Sequence, residues 1–445
     1  MALPHSILIV GGGVFGLSTA LSLSTRHPNS QITLIEAAAT IPNPHGSSVD
    51  ASRIVRADYA NPAYARLAAE GIRRWRMTDW GKEGRYTENG LVMVYTGGNS
   101  VAKQYTLASY KNVKSIEGDR VQELPTKAAV EKVVPRYAAG SNIAGGYVNW
   151  GSGWANAEAG VRFARAKLEQ MGKVTFKTGE VERLLFADEE SQQGQRKVTG
   201  VALTDGTTIA ADLVILATGA WTPKLVDLRG RAEATGQVMA YVKLTDEEQQ
   251  QLAHMPTILN FATGMFIIPP RNNELKIARH AYGYRNPKIV NVPGVVQDGE
   301  PSTMEISVPE NDVPIPLEGE EACRNALREM LPALADRPFF RTRVCWYTDT
   351  PKGDFLITYH PDHPNLFLAT GGSGHAYKFF PVLGDKIVDA LEGNLEPELQ
   401  QLWAWPRERP SSNTVETNDG SRSGRRGMIL AEELARTRPR EGQKL

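Results

Sequence analysis

The residues whose spacing carries the most chemistry lie near the start of the chain. Gly11, Gly13 and Gly16 satisfy G-x-G-x-x-G. In such a run the first glycine permits a tight turn, the second lets a pyrophosphate approach the backbone, and the third lets a helix pack against the preceding strand. The N–H groups around Gly13, Val14 and Phe15 then face the anion. Glu36 follows about twenty residues after Gly16, where a carboxylate can accept hydrogen bonds from a ribose diol. Arg53 and Arg56 come next, three apart and preceded by Ser47, Ser48 and Ser52. Small hydroxyl residues followed by two guanidinium groups suit a loop that wraps a dinucleotide and offers charge to an anion.

These residues need elements to hold them. Ser6 to Val10 is a short apolar run of the kind that forms a buried parallel strand, a helix follows the glycines, and Gln31 to Ile35 reads as a second strand. Asn61 to Trp80 reads as an amphipathic helix, with Tyr64, Leu67, Ile72 and Trp75 on or near one face. Strand-like runs at Gly90 to Tyr95 and Ile143 to Asn149 flank a charged helical stretch. Asn156 to Met171 is again helical, and Lys173 to Gly179 and Glu180 to Phe186 are strand-like. Leu213 to Trp221 is a buried strand running into a glycine turn, placed to return beside the first strand. From Gly236 to Asn311 short apolar stretches alternate with turn residues, as in an antiparallel sheet. Glu318 to Leu334 is a helix by pattern, and Asn365 to Gly372 is a further buried strand ending in glycines.

The expected fold is therefore α/β. A Rossmann-like nucleotide domain, discontinuous in sequence, is expected over 1–84, 151–225 and 338–405. A second, α+β substrate domain on an antiparallel sheet is expected over 85–150 and 226–337, with a polar tail over 406–445. The length of 445 residues suits about two domains. Fifty basic residues balance fifty acidic ones, so bulk charge recruits neither nucleic acid nor an anionic membrane. The N-terminal apolar run is too short for a signal peptide or a membrane span. Two cysteines, Cys323 and Cys345, are too few for a disulfide framework, and no metal site is expected.

The glycine fingerprint does not choose between FAD and NAD. Recurring buried strands with glycine turns, at Leu213 to Gly219 and Asn365 to Gly372, tip the balance toward a large, permanently held dinucleotide. The run Phe367 to His375 adds glycines, among them Gly372 and Gly374, whose N–H groups could contact an isoalloxazine ring.

From about Ser6 to Pro406 the chain resembles the flavin amine oxidases that include monomeric sarcosine oxidase and the fungal fructosyl amino acid oxidases, or amadoriases. The motifs are the fingerprint, SSVDASRIVRADYANPAYARLA, and RVCWYTDTPKGDFLITYHPDHPNLFLATGGSGHAYKF. The resemblance implies FAD, with Cys345 as the cysteine that joins the flavin 8α carbon through a thioether. It assigns Ser48, Ser52, Val181, Gly372, Gly374 and His375 to cofactor binding with the residues above. Arg53 matches a basic position near the flavin. Lys276, in Leu275-Lys276-Ile277-Ala278-Arg279-His280, matches the lysine that favours electron transfer to dioxygen by stabilising developing negative charge. Arg56 and Lys378 match the pair that holds a substrate carboxylate, and Lys378 also borders the cofactor.

The implied reaction oxidises a C–H bond beside a secondary amine nitrogen, giving an imine and, from O2, hydrogen peroxide. The partners are then a small-molecule amine and O2, and the chain is expected to act as a monomer. His280 stands where sugar-adduct enzymes of this kind tend to carry an acid, and Ala376 to Phe380 is aromatic for a sugar pocket. Both features admit an N-alkyl amino acid, saccharopine, pipecolate or an N-methylated aromatic amine as substrate. A flavin dehydrogenase feeding a quinone, and a non-catalytic flavoprotein, are the competing readings. The ending Gln443-Lys444-Leu445 resembles a Ser-Lys-Leu peroxisomal address, and peroxide production gives a reason for that compartment; the alternative is the cytoplasm.

Overall fold

The computed structural model describes residues 3–135, 142–190, 195–297, 300–408 and 414–436. Its first layer grows from β1 (Ser6–Val10), α1 (Val14–Arg26) and β2 (Gln31–Glu36). Strands β1 and β2 pair in parallel with Ile7 opposite Ile32 and Val10 opposite Ile35. The sheet has six strands, in the order 356–359, 366–370, 213–216, 6–10, 31–36 and 174–178. All its pairs are parallel except the outermost, Leu356–Tyr359 against Leu366–Thr370. Ile7, Leu8 and Ile9 are fully buried, which is why these strands read as continuous apolar runs rather than alternating ones. Helix α1 lies against the helix Phe380–Glu392. Gly384 makes that approach possible, because a Cβ there would stand 1.8 Å from the Ser18 carbonyl oxygen.

A ten-stranded sheet forms the second layer. At its centre Glu233–Lys243 pairs with Glu274–Arg279 on one side and Arg341–Asp349 on the other, all antiparallel. The helix Leu317–Met330 covers it with Cys323, Ala326 and Leu327. Arg341–Asp349 thus belongs by hydrogen bonding to this sheet, although the segment lies in sequence beside strands of the parallel one. A small three-stranded sheet, Tyr86–Thr87, Gly153–Ala155 and Arg53–Val55, carries Arg53.

Two helices stop earlier than their apolar pattern suggests. The helix expected over Asn61 to Trp80 runs Pro62–Met77, with Asn61 capping Ala63 N and a 3₁₀ turn over Asp79–Gly81. That expected over Glu318 to Leu334 runs Leu317–Met330, because Pro332 cannot continue the ladder and opens a separate 3₁₀ turn.

The expected polar tail needs correcting. Residues 414–436 are folded onto the body: Val415, Thr417, Ser421, Arg422 and Ser423 are buried, and Met428–Ile429 adds a parallel strand beside Tyr284–Arg285. The polar composition misleads because several of its donors find acceptors on the body of the protein. Thr417 donates to the Thr350 carbonyl, Val415 N–H donates to Glu233, and Arg422 meets Asp349. The Gln443-Lys444-Leu445 ending lies outside the described residues. Among those described, no helix is long and apolar enough to cross a membrane.

Candidate active site

The turn between β1 and α1 opens into the larger of two cavities. Gly11 has φ +106°, and its N–H reaches across to the Ile35 carbonyl at 2.8 Å. A Cβ on Gly16 would meet the Gly11 carbonyl oxygen at 1.9 Å, so only glycine lets α1 start this close to β1. Gly16 itself is behind the cavity wall, which Gly11, Gly13, Val14, Phe15 and Glu36 form. The helix has no side-chain cap at Gly13 and no acid in its first turn. Its N-terminal dipole end therefore faces the cavity without a cap or an acid of its own. Glu36 is held in place by Gly12 N–H (2.7 Å) on one oxygen and by Asn43 (2.8 Å) on the other. Ser48 Oγ accepts from Val14 N–H at 3.0 Å. Val181, Gly372, Gly374 and His375 line the same space. Gly374, at φ +70°, has no room for a Cβ, which would fall 2.2 Å from the Tyr347 ring.

The second cavity shares Arg53, Tyr347, Gly374, His375 and Tyr377 with the first, so the two are contiguous. Here the structure brings together Arg53, Arg56, Lys276, His280, Cys345 and Lys378, residues spread over more than three hundred positions. Ser52 lines neither cavity; its carbonyl accepts from Lys276 Nζ at 2.9 Å. Cys345 is a free, buried thiol in Arg341–Asp349, with Arg53 Nη2 3.7 Å from Sγ. Arg343, two residues earlier, donates to the carbonyls of Gly46 and Val49 and ties the wrapping loop to this strand.

Arg56 is 5% exposed, and its Nη1 has no hydrogen-bond partner. The guanidinium lies 4.7 Å from the Tyr59 ring centre and 5.7 Å from that of Phe261. Lys378 Nζ donates to Tyr59 Oη (2.9 Å) and to the His375 carbonyl (2.8 Å). Burial and then the charge of Arg56 pull Lys378 well below the usual lysine range. His375 has both ring nitrogens engaged: Nε2 meets the Gly353 carbonyl at 2.7 Å, which requires N–H there, so Nδ1 accepts from Tyr59 Oη at 2.9 Å. Its contribution to either cavity is the ring face and backbone rather than a free nitrogen.

His280 sits just beyond the strand Glu274–Arg279. Its Nδ1 is 3.5 Å from Arg422 Nη1 and its Nε2 is 3.3 Å from Ser421 Oγ. Burial, then Arg422 and Arg56, hold it well below the ordinary histidine value, so it is neutral at pH 7. Phe266, Met239, Leu259 and Tyr347 complete an apolar wall.

Asp50, Tyr59, Tyr241 and Arg422 belong to the site and were not legible as candidates. Asp50 and Tyr59 flank the two arginines in one loop, three residues before Arg53 and three after Arg56, and that spacing was the available signal. Tyr241 and Arg422 come from a distant strand and the C-terminal segment, with no local signal. Among the described residues no group of three or more His, Cys, Asp or Glu could hold a metal ion.

A strand–glycine turn–helix cradle, joined to a buried cationic cavity behind a strand-borne glycine loop, defines a dinucleotide-dependent oxidoreductase. The FAD dependent oxidoreductase (DAO) model matches residues 6–390, and the chain belongs to that family. It is similar to the amino acid oxidase imqH of Aspergillus flavus, 34% identical across 91% of this chain and 98% of the relative. It is also similar to the L-saccharopine oxidase of Schizosaccharomyces pombe, 30% identical across 92% and 94%. Among solved structures it resembles the deglycating fructosamine oxidase (Amadoriase II) of Aspergillus fumigatus, with a TM-score of 0.81, 26% identity, and 98% and 97% of the two chains covered. The cradle fits FAD: the Gly11 turn and the start of α1 face the cavity, Glu36 stands at its wall, and the backbone at Gly374 lines it.

Proposed function

We propose that the protein oxidises a secondary amine that carries a carboxylate and an apolar or aromatic portion, an N-alkyl amino acid in chemical class. The single observation that carries this reading is the buried Arg56 guanidinium, with Nη1 unpartnered beside Lys378, in a cavity contiguous with the dinucleotide cradle. A buried guanidinium nitrogen without an acceptor is costly, and a substrate carboxylate supplies the missing one. Asp58, also buried, is committed to Ser152 and Asn149 and leaves that role open.

FAD, held by Gly11, Val14, Phe15 and Glu36, would supply an acceptor for the hydride equivalent from the carbon beside the amine nitrogen and a route for the electrons to dioxygen, with hydrogen peroxide as product. The chain's own residues do the rest. Arg56 and Lys378 hold the carboxylate. Phe266, Met239, Leu259 and Tyr347 take the apolar portion and keep water out. His280, neutral and turned to Ser421 and Arg422, offers no charge to a sugar hydroxyl cluster, which favours the apolar substrate over a fructosyl amine. Lys276 brings a positive charge to the site where charge develops on dioxygen. Arg53 lines both cavities in contact with Cys345, and Cys345 Sγ is the tether to the flavin. The reaction needs no protein partner, we read the chain as a monomer, and peroxide gives a reason for a peroxisomal address.

The test is anaerobic bleaching of the bound flavin's visible absorbance. The panel is N-methyl amino acids with aromatic and aliphatic side chains, sarcosine, pipecolate, saccharopine, fructosyl amino acids and N-methylated aromatic amines without a carboxylate. Bleaching by the carboxylate-bearing aromatic or aliphatic members is the expected result. Bleaching only by the amines that lack a carboxylate, or only by the fructosyl adducts, would refute the assignment.

A further inference from the structure

Behind the cationic cavity lies a buried carboxylate that the reading above does not use. Asp50 is 5% exposed and sits at the meeting point of three elements: the wrapping loop, the strand Arg53–Val55 and the central strands of the large sheet. Lys276 Nζ and Arg53 Nη1 both donate to Oδ2, and both contacts are short. Tyr241 Oη (2.5 Å) and Ala51 N–H (2.7 Å) donate to Oδ1. Tyr241 and Lys276 are direct neighbours across the antiparallel pair, so the sheet register itself brings the phenol and the ammonium to one carboxylate.

We propose that Asp50 is a positioning residue for oxygen activation: its carboxylate keeps the buried Lys276 ammonium charged and aimed while Arg53 occupies the same corner. The inference rests on the reading of Lys276 given above. Arg53 does not give up its proton in proteins, so when two cations share a buried corner, the lysine yields first. The groups that face Nζ are Asp50 and Arg53 from the loop and short strand, Cys345 from Arg341–Asp349, and the Phe266 ring 5.7 Å away. Asp50 is the one carboxylate among them. Burial brings Lys276 down to about 8 even with Asp50 in contact, Arg53 pushes the same way, and Asp50, with a smaller contribution from Cys345, opposes both. Conversely, burial would raise Asp50, and Lys276 with Arg53 holds it well below the ordinary carboxylate range. The ammonium donates to Asp50 and to the Ser52 carbonyl, which leaves a third N–H for the cavity it lines. Over the whole cycle dioxygen takes up the two electrons and two protons that the amine gives up from its C–H and N–H bonds, and departs as hydrogen peroxide. Lys276 keeps its proton and acts through its charge.

The test uses the resting holoenzyme, in which the visible spectrum of the oxidised flavin reports a charge change beside the ring. Titrated with alkali, the wild-type spectrum is expected to show a transition near pH 8 that Lys276→Met lacks. Asp50→Asn, isosteric and uncharged, is expected to move that transition down by about two pH units, with reoxidation by dioxygen at pH 7 then slowed about tenfold. Asp50→Glu, which restores the charge, is expected to bring it back toward the wild-type position. An unmoved transition in Asp50→Asn, with Lys276→Met slow to reoxidise, would overturn the role of Asp50 alone. Reoxidation of Lys276→Met as fast as wild type would overturn the oxygen-activating reading and this inference with it. Should Asp50→Asn not fold, Tyr241→Phe removes one donor from Oδ1 and concentrates negative charge on the carboxylate. The transition is then expected to rise, and its failure to move contradicts the coupling.

Discussion

Arg56 and Cys345 are residues whose surroundings predict single-substitution behaviour. Arg56 has a buried guanidinium nitrogen that nothing in the chain satisfies. Truncating it to alanine removes a charge-assisted contact, worth on the order of tenfold to a hundredfold in binding. Steady-state kinetics of Arg56→Ala should therefore show KM raised by that factor for a carboxylate-bearing amine, while the corresponding amine without a carboxylate keeps its wild-type KM. Equal loss for both substrates would mean that the arginine shapes the pocket rather than holding the acid. Cys345 lies in a strand whose neighbours across the pair, Gln237 and its flanking residues, hold the backbone independently of the thiol. Acid precipitation of Cys345→Ala should leave the yellow flavin in the supernatant, whereas the wild-type pellet keeps its colour. Flavin still attached to the variant would move the tether elsewhere.

At the scale of elements, the C-terminal segment 414–436 is the piece with the largest consequence. Its Arg422 is fully enclosed, donating to Asp349 (2.5 Å), to the Ser373 carbonyl (3.0 Å) and to the Ala281 carbonyl (3.1 Å). It thereby joins the strand bearing Cys345, the glycine loop before His375, and the turn that carries His280. Arg422→Met keeps the length and loses the charge, leaving Asp349 buried with only Thr235 as a donor. Breaking one side of a buried pair costs about 3–5 kcal/mol. Thermal denaturation should show a fall in Tm of about three to five degrees if the variant behaves as a two-state unit. A fall of only a degree or two would indicate that the segment is held by Val415, Met428 and Leu430 instead.

For the whole molecule, buried histidines shape the response to acid. His280 and His375 both lie well below their ordinary value of 6.5, first because burial disfavours the charged ring, then because of Arg422 and Lys378 respectively. A folded-state value below the unfolded one means that the unfolded chain binds the extra protons. Their contribution is therefore complete above pH 6.5 and is lost as pH falls through that value, at up to about 1.4 kcal/mol per pH unit for each ring. Asp58 and Asp349, raised by burial, and Asp354, pushed up by burial to about 6, bind protons first in the folded state and oppose part of this slope. Calorimetry of the holoenzyme between pH 7 and pH 5 should show Tm falling with acid, and His375→Gln should flatten part of that fall. A Tm flat to pH 5 in the wild type would show that the rings titrate normally.

Much of the parallel layer is determined by local sequence. Ser6–Val10, the glycine turn and Gln31–Glu36 carry their own strand and turn chemistry, and such elements form wherever their two faces are covered. The same holds for the cofactor cradle, since backbone N–H groups and a φ above zero are set by glycine positions. The cationic site was partly legible, because Arg53, Arg56, Lys276 and Lys378 stand in motifs that mark them out. What tertiary structure decided is which charges meet. Asp50 becomes a counter-ion to Lys276 only because the wrapping loop docks on the strand pair Glu233–Lys243 and Glu274–Arg279. Arg422 looks solvated in a run of serines, asparagine and glycines, yet it ends on Asp349, more than seventy positions away, because burial makes any unpaired charge seek its complement. Pattern along the chain encodes which faces are apolar; the pairing of buried charges depends on distances that exist only once those faces have packed.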